Sequence, residues 1–160
     1  MLAWWLGAPP ASSAAPPSPR VSAAVNISAD SLTDNEVSIA VNPANPLNLV
    51  AGWNAWEEDR QGVGYAYSFD GGRTWSPAGL LPLGTDEEAE DDSGRYKVAG
   101  DPAFVFGPDG TAYAVFQSFE VMPPFEARLL VAVSSDGGRT WPQVLVAFSG
   151  SRRREPLNAT

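Results

Sequence analysis

The stretch Ser68-Phe69-Asp70-Gly71-Gly72-Arg73-Thr74-Trp75 returns as Ser134-Ser135-Asp136-Gly137-Gly138-Arg139-Thr140-Trp141, without gaps and with a change only at Phe69/Ser135. Each copy follows a run rich in residues that suit a pleated surface: Gly62 to Tyr67 and Arg128 to Val133. Asp-Gly-Gly then reverses the chain, because glycine takes up a positive φ without steric cost. The Asp carboxylate can accept hydrogen bonds from N–H groups of its own turn. Thr and Trp follow, and the indole can fold under the loop and bury apolar area. Turn chemistry accounts for every residue type, so Asp70 and Asp136 read as structural groups and not as catalytic ones.

Working outward, the strand pattern also repeats. Glu36 to Pro43, Leu47 to Trp53, residues 62–67 and a weaker run at 78–83 surround the first copy. Asp101 to Pro108, Thr111 to Phe116, residues 128–133 and Val144 to Phe148 surround the second. Helix signals are nearly absent. A four-stranded unit repeated at a fixed period is the signature of propeller blades. The expected organisation is a lead-in at 21–35, one blade at 36–100, a second at 101–150, and the start of another unit or a tail at 151–160. The extra length lies in the connections 54–61, 84–100 and 117–127, and loops of this kind build a binding face.

Composition narrows the chemistry. The 160 residues hold no cysteine and no histidine, which excludes disulfides, thiolate metal sites, histidine-ligated zinc and Ser-His-Asp catalysis within the chain. Acid–base work would fall to Asp, Glu, Tyr or Lys. A net charge of −9 argues against nucleic acid. Six of those negative charges lie in Asp86-Glu87-Glu88-Ala89-Glu90-Asp91-Asp92. This run reads as a solvated acidic loop; it has no calcium-loop spacing, so no metal or other cofactor is expected.

Residues 1–20 do not read as fold. Leu2 to Ala8 is a short apolar run, and small residues near Ala11 to Ala15 would suit cleavage of a secretory signal, although no basic segment precedes it. The run is too short to span a membrane. Pro16-Pro17-Ser18-Pro19 reads as an extended linker. Export to an extracellular or periplasmic location is the expectation. Val21, Val25 and Ile27 suggest a short strand, and Asn26-Ile27-Ser28 is a formal glycosylation triplet of a kind common by chance.

The pattern S-x-D-G-G-x-T-W resembles the Asp-box, or bacterial neuraminidase repeat, of sialidase-like β-propellers. Ser68, Asp70, Gly71, Gly72, Thr74 and Trp75 carry the first match, and Ser134, Asp136, Gly137, Gly138, Thr140 and Trp141 the second. The resemblance covers residues 36–148. It implies an all-β fold: two four-stranded antiparallel blades of a propeller of about six or seven blades. It also implies a sugar-pocket role for Asp101, since Asp101-Pro102 matches the Asp-Pro that opens the second blade of sialidases. Those enzymes carry a catalytic acid in the loop between the second and third strands of the first blade. Here Glu57, Glu58 or Asp59 occupies that loop, with Arg60 and Trp56 as candidate substrate contacts. Departures from the family pattern are as informative. Sialidases grip the substrate carboxylate with three arginines, and Val37-Ser38-Ile39-Ala40 stands where the first is expected. The arginine expected near Leu49 to Trp53 is missing too, and the Tyr/Glu pair belongs to later blades.

Repeats bury their faces against neighbours, and two alone leave apolar surface exposed. The sequence therefore reads as the N-terminal piece of an exported sialidase-like propeller, with further blades supplied by the same chain or by oligomerisation. Its function reads as glycan-directed and glycoside-hydrolase-like, with catalysis left open. The alternative is a non-catalytic propeller that binds a glycan or protein on its loop face, assembled from two-blade units.

Overall fold

The computed structural model describes residues 23–56, 61–83, 98–120 and 126–151. These residues form eight β-strands and no helix. The first four are β1 (Asp34–Val41), β2 (Leu49–Trp56), β3 (Gln61–Ser68) and β4 (Gly79–Leu80). The second four are β5 (Val98–Phe106), β6 (Ala112–Phe119), β7 (Glu126–Ser134) and β8 (Gln143–Ser151). Each set is an antiparallel meander, the form of a propeller blade. A single parallel pair, Gln61 with Val98, joins β3 to β5 and makes the sheet continuous, with β1 and β8 at its ends. The sheet is not closed.

The two blades pack face to face. Alternation along each strand places one set of side chains between them. Val50 and Val63 of the first blade meet Phe104, Phe106, Phe116, Leu130 and Trp141 of the second in one buried cluster. Gly52 is needed for this contact: a Cβ there would lie 2.2 Å from the Phe104 ring. At the usual coefficient of about 25 cal/mol per Å2, each fully buried aliphatic or aromatic side chain contributes about 1.5–3 kcal/mol.

The strands agree with the repeat seen in the sequence, and the register refines it. β1 and β5 each contain a bulge, between Asn35 and Ser38 and between Gly100 and Ala103. Inside these bulges Glu36 and Asp101 have φ values of 55° and 54°. Asn35 lies opposite Asn54, and Gly100 opposite Gln117, so Asn54 and Gln117 are equivalent positions.

Two local expectations differ from the structure. The fourth strand of the first blade shrinks from 78–83 to Gly79–Leu80, paired with Tyr65 and Gly64. Pro77 and Pro82 bracket it, and proline cannot donate to a ladder. Of the strand expected at Val21, Val25 and Ile27, Val21 lies outside the described residues, and Val25 and Ile27 form no strand. Asn26 Oδ1 instead accepts from Ser28 Oγ at 3.1 Å and from Ala29 N at 3.2 Å, and Ala29 has a φ of 57°. This local side-chain turn competes with extended pairing.

Candidate functional site

The ends of β2, β3, β5 and β6 meet near Asn54 and bring several polar side chains together. Asn54 projects from β2 of the first blade and is only 5% exposed. Its Oδ1 accepts from the Asp101 N–H at 2.7 Å, and its Nδ2 lies 3.5 Å from Asp101 Oδ1. Gln117 Nε2 donates to the other carboxylate oxygen, Oδ2. One acid from the second blade is thus held by an amide from each blade. Gly100 makes room for this grip, because a Cβ there would stand 2.8 Å from Asn54 Oδ1 and 3.2 Å from Gln61 Nε2.

The backbone explains why Asp101 faces outward. A left-handed conformation is uncommon for a residue with a Cβ and costs about 1–3 kcal/mol. The bulge breaks the alternation of β5 at Ala99 and Gly100, both buried, and Asp101 is exposed between buried Gly100 and Pro102. Glu36 repeats this conformation on β1 and is exposed as well. Ser38 Oγ accepts from the Phe104 N–H at 3.1 Å, which ties the two bulged strands side by side. Carboxylates and amides at one strand end can accept from and donate to hydroxyl groups of a polar ligand.

Of the residues singled out in the sequence, Asp101 lies in this cluster. Trp56 closes β2 and is 45% exposed. Glu57, Glu58, Asp59 and Arg60 lie outside the described residues, as does the acidic run 86–92. Asn54, Gln61 and Gln117 were not singled out. For Asn54 and Gln117 the signal was faint: amides at matched positions of β2 and β6, visible only once the strands are in register.

The two S-x-D-G-G-x-T-W loops occupy the opposite end of the strands, after Ser68 and Ser134. Their chemistry is internal. Ser68 Oγ donates to Asp70 Oδ1 at 2.8 Å and accepts from the Gly72 N–H at 2.9 Å. Thr74 donates to Asp70 from its N–H at 2.9 Å and from Oγ1 at 2.6 Å. Ser134, Asp136, Gly138 and Thr140 repeat this set at 2.7, 2.9, 3.0 and 2.6 Å. The Thr74 hydroxyl and N–H, helped by Ser68 and the Arg73 N–H, pull the Asp70 pKa down to about 2. For Asp136 burial pushes upward, but bonds from Thr140, Ser134 and the Arg139 N–H together outweigh it and leave the pKa lowered. Both carboxylates are engaged within their own turns and far along the strands from Asp101.

A shallow cavity of about 210 Å3 lies on the outer side of the first blade, lined by Asp30, Leu32, Trp53, Trp56, Gly79 and Leu80 among others. Among the described residues no group of three or more acidic side chains is spaced to hold a metal ion, and no helix is long and apolar enough to cross a membrane.

No family model matches the chain, and no curated protein matches it. Among solved structures it is similar to the Hadza microbial sialidase Hz136, with a TM-score of 0.50 and 17% identity over 74% of this chain and 25% of that one. The chain thus corresponds to a quarter of that structure's length. At this identity the likeness concerns fold alone. Together with the paired meanders it supports an all-β, β-propeller-like fold.

Proposed function

We propose that this chain forms the glycan-directed part of an exported, sialidase-like propeller, with ligand received at the strand ends around Asp101. The observation that carries the reading is Asp101 itself. A strained, left-handed backbone presents its carboxylate to solvent, and Asn54 and Gln117 hold it from both blades. Such strain persists only where surrounding structure determines it, and it clusters at binding sites. Pre-positioned acceptors of this kind suit sugar hydroxyls. The likeness of fold to a sialidase supports a glycan as the ligand class.

Catalysis is a separate matter. The arginines that would pair a sialic-acid carboxylate are missing from their expected positions near Val37 to Ala40 and Leu49 to Trp53. The chain is therefore expected to bind glycosides without hydrolysing a fluorogenic sialoside. Calorimetric titration with neutral and acidic methyl glycosides tests the binding. Asp101→Ala should weaken it by about tenfold or more, the range for a hydrogen bond to a charged group. Unchanged circular dichroism would show that the fold survives. A chain that binds no glycoside, or an Asp101→Ala variant that binds as well as the parent, would sink the reading. Turnover of the sialoside that vanishes in Asp101→Ala would replace it with a hydrolase.

A further inference from the structure

We propose that Trp56 and Gln61 form the other half of the site at Asp101, and that its ligand is a neutral pyranoside. One apolar C–H face of the sugar ring stacks on the Trp56 indole, while neighbouring hydroxyls bridge the Gln61 amide and the Asp101 carboxylate. The inference rests on the reading of Asp101 as a glycan contact and gives that contact its ligand class.

Register places the pair. Trp56, the last residue of β2, lies directly opposite Gln61, the first of β3. Opposed residues of an antiparallel pair hold their Cβ atoms about 4.5–5.5 Å apart. Gln61 in turn pairs with Val98, which starts β5 just before Gly100 and Asp101. A Cβ on Gly100 would stand 2.8 Å from Asn54 Oδ1 and 3.2 Å from Gln61 Nε2, so the two amides flank one spot beside Asp101. Asn54 and Gln117 are both bonded to Asp101, whereas the Gln61 amide is bonded to none of these three. It keeps its donors and its acceptor for an incoming group. The carboxylate has capacity left as well. An ionised Asp offers about four lone-pair sites, and Gln117 takes one on Oδ2 while Asn54 Nδ2 stands 3.5 Å from Oδ1.

The second blade shows that the fold itself does not require this pair. Asn54 faces Val63 and Gln117 faces Leu129, so the counterparts of Trp56 and Gln61 are Phe119 and Ala127. β6 and β7 pair through that position just as β2 and β3 do. Where the second blade has a half-buried phenyl ring and a methyl group, the first carries a primary amide and an indole that is 45% exposed. Trp56 also borders the outer cavity, which leaves room beside its ring. An open indole with an amide and a carboxylate close by combines a broad apolar surface with a few polar groups that fix orientation. A pyranose ring is the complement, with C–H groups on its faces and vicinal hydroxyls at its rim.

Calorimetry with methyl β-glucopyranoside and with sorbitol tests this, since the acyclic polyol offers hydroxyls without a flat ring. The parent should bind the pyranoside about tenfold more tightly than sorbitol. Trp56→Ala and Gln61→Ala should each weaken pyranoside binding by about three- to tenfold. Trp56→Phe, which keeps a ring, should lose less than Trp56→Ala. In NMR spectra of the parent the pyranoside should shift the Trp56 indole N–H signal, assigned by its absence in Trp56→Phe; this reads the contact even where Trp56→Ala does not fold. Equal binding of sorbitol, an unmoved Trp56 signal, or a folded Trp56→Ala or Gln61→Ala variant that binds as well as the parent would overturn the inference. If those variants bind normally while Asp101→Ala binds weakly, the glycan reading stands and this inference alone falls. A parent that binds no glycoside ends both.

Discussion

The two S-x-D-G-G-x-T-W loops share nearly all their residues and their internal hydrogen bonds, yet they sit in different surroundings. The first lies at the edge: Gly71, Arg73 and Thr74 are exposed and Trp75 is half-buried. Trp75 Nε1 donates to Gly72 O at 3.2 Å, within its own loop. The second is pressed against the first blade. Gly137 and Gly138 are buried, and Trp141 is 5% exposed, edge-on to both Tyr65 and Phe104. Asn48 Nδ2 donates to Ser68 O at 3.1 Å and to Gly137 O at 2.9 Å, so one buried amide links the blades. The Arg139 guanidinium stands 3.9 Å from the Phe69 ring centre, a cation–π contact, and Tyr65 Oη donates to Arg139 O at 3.3 Å. Local sequence determines the loop's own geometry. Whether the loop is a free corner or part of an interface depends on the neighbouring sheet.

Replacing the tryptophans should show the largest difference. Trp141→Ala removes a buried ring shared by both blades and should cost about 3–5 kcal/mol. Trp75→Ala should cost about 1–2 kcal/mol, since its ring is only half-buried. Urea unfolding of both variants measures the gap, and equal losses would show that the loops are energetically alike.

The second glycines come next. Gly72 and Gly138 have φ of 81° and 90°, so alanine at either carries backbone strain of about 1–2 kcal/mol. At Gly72 the nearest heavy atom to a new Cβ is 3.6 Å away on Trp75. At Gly138 the new Cβ would lie 2.2 Å from Val50 Cγ2, which forces a shift at the interface. Gly138→Ala should therefore lose about 1–3 kcal/mol more than Gly72→Ala. Thermal melts of the two would expose a wrong assignment by coinciding.

Asn48→Ala removes the amide that links the loops and leaves two carbonyls short of a donor. The expected loss is about 1–3 kcal/mol. Combining it with Trp141→Ala in a double-mutant cycle should reveal coupling, because both changes act on one interface; strict additivity would count against that.

The smallest effect concerns acid. A carboxylate whose folded pKa is depressed adds stability that is complete above its unfolded value and disappears as pH falls through the folded value. Asp70, lowered from 3.8 to about 2, acts in that window. The melting temperature of the parent should fall between about pH 4 and pH 2, and Asp70→Asn should make that fall shallower. Asp136→Asn should act in the same direction, with burial opposing the hydrogen bonds. An unchanged acid slope in Asp70→Asn would rule out its carboxylate as a source.

Much of the fold was legible because its determinants are local. Strand alternation, the Asp-Gly-Gly turns and the recurrence of a four-strand unit are all carried by neighbours in sequence. Where the structure departed from expectation, the causes were local signals of another kind: Pro77 and Pro82 shortened β4, and an asparagine turn displaced the strand expected at Val25 and Ile27. Asp101 was singled out only through the resemblance of Asp101-Pro102 to a family motif, and its equivalence to Glu36 comes from the matched bulges. In the structure Asn54 Oδ1 accepts from the Asp101 N–H across the blades. Nothing local marks Asn54 or Gln117, since their role depends on contacts across 47 and 16 residues.

By itself, the sequence determined that two similar β-meanders would form, where their corners would fall and which residues would staple them. Those properties follow from φ preferences, alternation and hydrogen bonds spanning a few residues. Only the tertiary structure decided that one Trp is buried and its twin half-exposed. It also decided that Asp101 is held by amides from two blades. Each depends on surfaces brought together from distant parts of the chain, where side-chain size and register select the contact.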